Sequence, residues 1–175
     1  MFVGITNSPR PYAWGSHGAI SALLGLTPSA ALEAELWLGA HAGSPSRIIN
    51  PSQAGGADTL ADWIAADPES ALGVHRPGEP RLPFLLKVLA AASPLSLQAH
   101  PTAAQAVAGF AREEAAGIPL DAPERNYKDS DAKPEIIYAL EDGFEALCGF
   151  RSLGSIREVI LRLIELDAAI QAAPL

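Results

Sequence analysis

Cysteine is nearly absent: the 175-residue chain has one, Cys148, in an apolar setting. A lone cysteine makes no intrachain disulfide, which excludes a disulfide-stapled scaffold and makes a reducing cytoplasm the expected setting. Its side chain is expected as a buried small hydrophobe rather than a nucleophile. Positive charge is also scarce. Twelve Lys and Arg against 20 Asp and Glu leave a formal net charge of -8. Nucleic acid and anionic membrane surfaces need basic patches, so neither is an expected partner. A phosphorylated small molecule remains open, because it needs only a few local cations. No apolar run reaches the roughly 20 residues that span a bilayer. The start, Met1-Phe2-Val3-Gly4-Ile5, lacks the basic region and long apolar core of a signal peptide. Internal repeats and low-complexity tracts are absent. What is abundant is apolar side chain, 49% of the residues, enough for a sizeable core and too much for a disordered chain.

The pattern before residue 100 is one of short strands and turns. Phe2–Ile5 and Leu32–Ala40 read as strands, the second with Glu33, Glu35, Trp37 and Gly39 on one face. A solvated face is the ordinary reading of those carboxylates, but Glu35 beside Trp37 leaves a pocket open. Tyr12 and Trp14 stand on a Pro- and Gly-rich loop, as core cover or pocket wall. Gly18–Leu24 suggests a short helix, and Asp58 or Thr59 a cap for another. His75 lies in the loop 71–81 and is expected to be exposed. Leu82–Ala91 is the strongest strand, with Lys87 set among Leu85, Leu86, Val88 and Leu89. Either Lys87 snorkels out at an edge or it faces a site that needs a cation.

Leu95–Pro101 reads Leu-Ser-Leu-Gln-Ala-His-Pro. In a strand, Ser96, Gln98 and His100 would share one face and the leucines the other. Taken alone, this is an ordinary half-buried strand. Thr102 and Gln105 then resemble a capping box opening a helix to Ala116, closed by Gly117. After an irregular stretch, 131–140 reads as a strand in its second half and carries Lys133 and Glu135. Phe144–Phe150 reads as a further strand, and Ser155 with Glu158 opens a final helix striped by Ile156, Val159, Ile160, Leu163 and Ile170. The pattern predicts an all-β core with helical insertions. If the strands bearing His100 and Glu135 meet, an amide, an imidazole and a carboxylate converge. Three protein ligands with an open position are the pattern of a catalytic zinc, and a neutral amide among them favours Lewis-acid work on a substrate oxygen. Lys133 beside them is placed to polarise an oxygen or move a proton.

These segments resemble a known family. Leu-Ser-Leu-Gln-Ala-His-Pro (95–101) is similar to the metal-binding strand of the type I mannose-6-phosphate isomerases. Asn-Tyr-Lys-Asp followed by Lys-Pro-Glu (126–135) is similar to their second motif. Tyr-Ala-Trp-Gly-Ser (12–16), Ala-Glu-Leu-Trp-Leu-Gly-Ala-His (34–41), Leu-Pro-Phe-Leu-Leu-Lys-Val-Leu (82–89) and Phe-Glu-Ala-Leu-Cys-Gly-Phe-Arg (144–151) match in the same order. The resemblance implies a mainly β, cupin-like barrel or jelly roll with helical insertions, incomplete in this chain. On that reading, 1–101 is the first part of the β domain, 102–130 a helical excursion, 131–151 the return and 152–175 the start of a helical domain. It implies a zinc enzyme interconverting mannose 6-phosphate and fructose 6-phosphate through an enediol or enediolate.

By position, Gln98, His100 and Glu135 become zinc ligands. Ser96 and Lys87 become sugar-phosphate contacts, with Trp14 and Glu35 as wall residues, and Lys133 becomes the proton-transfer or oxyanion group. Two departures stand out. Family members usually carry His before the lysine, where this chain has Ala132. Their fourth zinc ligand, a His, and their catalytic Arg lie further along than Leu175, so the sequence reads as an N-terminal portion. A non-catalytic cupin-like binder of metal or sugar phosphate is the alternative, and a truncated product without independent function a third. Oligomeric state is not readable from the sequence.

Overall fold

Turn residues punctuate the first ninety positions so often that no strand among the described residues there exceeds four residues. The computed structural model describes residues 2–73 and 80–171. His75 and part of its loop lie outside the described residues. The chain divides into two compact units, Met1–Leu95 and Ser96–Leu175.

Among its described residues the first unit holds six short strands: β1 (Ile5–Thr6), β2 (Ser16–His17), β3 (Leu32–Glu33), β4 (Glu35–Leu38), β5 (Arg47–Ile48) and β6 (Leu86–Leu89). They form three antiparallel pairs, β1 with β5, β2 with β3 and β4 with β6. The strand expected over Leu32–Ala40 is thus split at Ala34, where the chain changes partners. Glu33 faces Ser16, while Glu35 faces Leu89. Ala34 itself is fully buried, and its N–H donates to the Arg10 carbonyl at 2.8 Å. Gly15 makes this approach feasible, since a Cβ there would lie 2.7 Å from the Ala34 nitrogen. Ile48, Ala54 and Trp63 form a small core, covered by Val3 and Leu60.

Among the described residues, three short α-helices, α1 (Ala19–Leu23), α2 (Leu60–Ala66) and α3 (Pro68–Leu72), and a 3-10 turn at Pro51–Ala54 complete the unit. The Thr59 hydroxyl accepts the Asp62 N–H at 3.1 Å and caps α2, as expected from the sequence. Asp67 closes α2 and opens α3 by accepting the Ser70 N–H. The Ser70 side chain, and then its N–H, hold the Asp67 carboxyl below the ordinary aspartate range. Buried Glu33 is held low in the same way by Ser21, whose hydroxyl and N–H both donate to it.

The second unit is built on two long helices, α4 (Ala103–Ala115) and α5 (Leu153–Gln171). The expected capping box is present: Thr102 and Gln105 satisfy one another's backbone N–H groups. Gly117, at φ 68°, turns the chain away from α4. The return is clamped by Arg125, whose residue is 4% exposed. Its guanidinium lies 3.1 Å from the Glu113 carboxylate and 2.7 Å from that of Glu114, and it donates to the Tyr127 and Ile118 carbonyls. Glu113 accepts the Tyr127 N–H at 2.8 Å. That bond first, then Asn126 and the Arg125 charge, hold its carboxyl below the ordinary range despite desolvation. The Tyr127 ring lies directly against Gly109 of α4.

The expected mainly β architecture gives way to mixed helix and strand, and the described residues form no closed barrel. Leu95–Pro101, the second half of 131–140 and Phe144–Phe150 were each expected as strands, and none is one. A strand is a property of a pair, because its N–H and C=O groups need a neighbour's. Pro94 and Pro101 remove donors at both ends of the first stretch. Its Leu97 approaches Gly149, with a Cβ there 3.7 Å from the leucine methyl, but no ladder forms. Cys148 is exposed rather than buried, because its stretch packs against too little. Ile136 (98% exposed) and Phe150 (99%) are also bare. Helix α5 begins at Leu153, earlier than the expected Ser155, with the Ser152 hydroxyl accepting the Ser155 N–H at 3.2 Å.

Candidate functional site

In the second unit the decisive side chain is Glu135. Its Oε2 lies 3.6 Å from His100 Nε2, and its Oε1 lies 3.6 Å from Lys133 Nζ. One carboxylate thus faces an imidazole on one oxygen and an ammonium on the other. Neither neighbour comes from regular secondary structure. His100 ends the extended Leu95–Pro101 segment just ahead of the α4 cap. Lys133 and Glu135 flank Pro134, downstream of the Arg125 clamp. That clamp and the capping box hold the chain on either side of α4, and so fix where both extended segments leave it.

The donor chemistry suits a divalent metal. Two ligand atoms on a tetrahedral zinc, each about 2.0–2.1 Å from it, stand about 3.3–3.4 Å apart. The His100–Glu135 separation of 3.6 Å is close to that span. Gln98 and Ser96 are exposed and make no hydrogen bond to another described residue. Among the described residues no group of three or more His, Cys, Asp and Glu side chains is gathered for a metal. Among the described residues His100 and Glu135 form a pair, and the Gln98 amide is a candidate third donor of another type.

In the first unit, Lys87 and Glu35 meet across the β4–β6 ladder. Trp37 stands directly opposite Lys87 and Glu35 opposite Leu89, which puts Glu35 on the diagonal from Lys87. The Lys87 ammonium sits 4.8 Å from the centre of the Trp37 ring and 3.7 Å from Glu35 Oε2. The same Glu35 oxygen accepts the Trp37 indole N–H. Lys87 therefore neither snorkels free nor stands unpaired. Trp14 stacks on Tyr12, with centroids 5.9 Å apart, and the Arg10 guanidinium lies 5.6 Å from the Tyr12 ring and 5.5 Å from that of Trp37.

The structure brings together two sets among the residues expected from sequence: His100 with Lys133 and Glu135, and Glu35 with Lys87. It does not bring Ser96, Gln98 or Trp14 into either set of contacts. Two residues around Lys87 were missed by sequence reasoning, Arg10 and the role of Trp37. The signal for Trp37 was available, since it shares a strand parity with Glu35. For Arg10 there was none, because its isolated bridge to Glu35 crosses 25 residues of chain.

The profile described as "Phosphomannose isomerase type I, catalytic domain" matches residues 2–153. The chain belongs to the type I phosphomannose isomerase family. The mannose-6-phosphate isomerase of Escherichia coli K12 is 49% identical over 156 residues, which cover 87% of this chain and 39% of that protein. A zinc-bound mannose 6-phosphate isomerase structure superposes with a TM-score of 0.63 at 44% identity, covering 74% of this chain and 33% of the other. The Salmonella typhimurium enzyme solved with fructose 6-phosphate and zinc gives 0.59 at 42% identity, covering 75% and 33%. The chain thus spans well under half the length of the family members it matches. All six segments quoted for the resemblance fall within the family match.

Proposed function

We propose that this chain carries part of the active site of a zinc-dependent isomerase that interconverts mannose 6-phosphate and fructose 6-phosphate. The observation that carries the proposal is the Glu135 carboxylate shared between His100 and Lys133, in a chain of this family. Gln98, His100 and Glu135 would hold zinc. When bound, the metal supplies Lewis-acid stabilisation of negative charge on a substrate oxygen. Lys133 would carry the proton between C1 and C2 or donate to the oxygen that becomes anionic as the enediol or enediolate forms. Lys87 and Ser96 would bind the sugar phosphate, with Glu35 and Trp14 as pocket walls. The paired strands of the first unit would belong to a cupin-like β-barrel. The domain limits at 101, 130 and 151 belong to the same proposal. The single cysteine favours a cytoplasmic setting.

The test is zinc content by elemental analysis alongside a coupled assay for mannose 6-phosphate turnover. In a version of the chain extended to the length of its relatives, His100→Ala should lose both metal and turnover. Zinc retained at wild-type stoichiometry would refute the ligand assignment. A non-catalytic cupin-like binder is favoured by one observation: the described residues offer only two members of a His, Cys, Asp and Glu ligand set. That reading predicts sugar-phosphate binding without turnover.

A further inference from the structure

The first unit places an unusual concentration of charge around one indole. The Trp37 ring has the Lys87 ammonium at 4.8 Å, the Arg10 guanidinium at 5.5 Å and the edge-on His41 ring at 4.9 Å. Its N–H is held by Glu35, the same carboxylate that faces Lys87. Its carbonyl accepts the Asn7 amide at 2.9 Å, which ties the backbone of this position down as well. The indole N–H and the backbone carbonyl of Trp37 are therefore both engaged. A lysine has four rotatable bonds, and a lone carboxylate at 3.7 Å fixes its ammonium poorly. An aromatic face directly across the ladder fixes it much better.

We infer that Trp37 is a positioning residue: it holds the Lys87 ammonium in place for a sugar-phosphate anion, both through its ring face and through its grip on Glu35. The inference rests on the proposed pocket role of Lys87. Locally, Arg10 and Lys87 outweigh Glu35 by one positive charge, which suits a small anion. Trp37 does not need to touch the substrate; it acts through Lys87.

The chain's lysines are Lys87, Lys128 and Lys133, few enough to resolve separately by NMR after 13C-methylation of the ε-amines. Lys87→Arg identifies the Lys87 signal by removing it. A methylammonium over an indole face is shifted upfield by the ring current. The Lys87 signal should therefore lie upfield of the other two, keep most of that displacement in Trp37→Phe and lose it in Trp37→Leu. Retention in the phenylalanine variant separates lost positioning from lost folding. Titration with mannose 6-phosphate should move the Lys87 signal, with an affinity about fivefold weaker in Trp37→Leu. An undisplaced Lys87 signal in the wild-type chain overturns the inference, even if mannose 6-phosphate still moves it. So does equal affinity in wild type and Trp37→Leu. A displaced signal that mannose 6-phosphate leaves unmoved overturns the pocket reading of Lys87, and the inference with it.

Discussion

Replacing Gly109 with alanine should have opposite effects depending on one aromatic ring. Gly109 lies inside α4, where alanine is favoured over glycine by about 1 kcal/mol. On helix propensity alone, Gly109→Ala stabilises. But a Cβ at this position would fall 2.3 Å from Tyr127 Cζ and 2.5 Å from both Cε atoms, at the hydroxyl-bearing end of the ring. Carbon–carbon contacts settle at about 3.5–4.0 Å, so the ring must retreat by more than 1 Å. It cannot take its backbone with it easily, because the Tyr127 N–H is bound to Glu113 and its carbonyl to Arg125. Overpacking of this kind costs about 1–3 kcal/mol. The net effect of Gly109→Ala should thus lie between neutral and about 2 kcal/mol destabilising. In a Tyr127→Ala background the obstacle is gone, and the same substitution should stabilise by about 1 kcal/mol. The coupling between the two positions is then about 1–3 kcal/mol. Urea unfolding of the four proteins of the cycle, followed by helical circular dichroism, measures it. Stabilisation by Gly109→Ala in the presence of Tyr127, equal to that in its absence, would refute the packing of the ring on the helix.

Other outcomes follow from the same geometry. Thr59→Ala removes the α2 cap and should cost about 1 kcal/mol, read as a lowered thermal midpoint. The Glu113 carboxyl is held below its ordinary value, so its ionised form stabilises the fold. That contribution is complete above the unfolded value of about 4.3 and is lost as pH falls through the lower folded value. Protection of the Tyr127 amide, taken relative to intrinsic exchange at each pH, should therefore fall below about pH 4 and stay constant between pH 6 and 8. Glu135→Gln breaks the half-exposed ion pair with Lys133 and the contact with His100 and should change stability by less than about 1 kcal/mol, while zinc content falls to background. The bare apolar side chains of 136–150 and α5, Tyr138 (83% exposed) and Leu153 (85%) among them, should make the chain bind an apolar fluorescent dye and scatter more light per mass as concentration rises.

What was legible in the sequence was local. Alternation at Glu35 and Trp37 and the apolar run around Lys87 announced β4 and β6, and the Thr102–Gln105 and Thr59 caps announced their helices. These signals are satisfied within a few residues or by one neighbouring strand. The strands expected at Leu95–Pro101 and Phe144–Phe150 failed because alternation describes what a strand would expose, not whether a partner is present to pair with it. The split at Ala34 depended on a distant backbone, that of Arg10 and Gly15, and left no local trace. Of the candidate site, His100, Lys133 and Glu135 were grouped first on the condition that two strands meet and then from the motifs, and they come together without any ladder between them. The Arg125 clamp that fixes their segment was not legible at all, since a basic residue in a polar stretch ordinarily points to solvent.

The rung that pairs Trp37 with Lys87 has a consequence for how this protein can change over generations. Either substitution alone leaves its counterpart with a defect, an ammonium without its aromatic face or an indole without its cation. The two positions therefore form one heritable unit and should drift together, with Glu35 constrained by both. Exchanging them, with lysine placed at 37 and tryptophan at 87, would preserve the rung and move the ammonium to the opposite strand. Such a transposed protein would fold like its parent and reveal whether selection guards the pair or the place where its charge points.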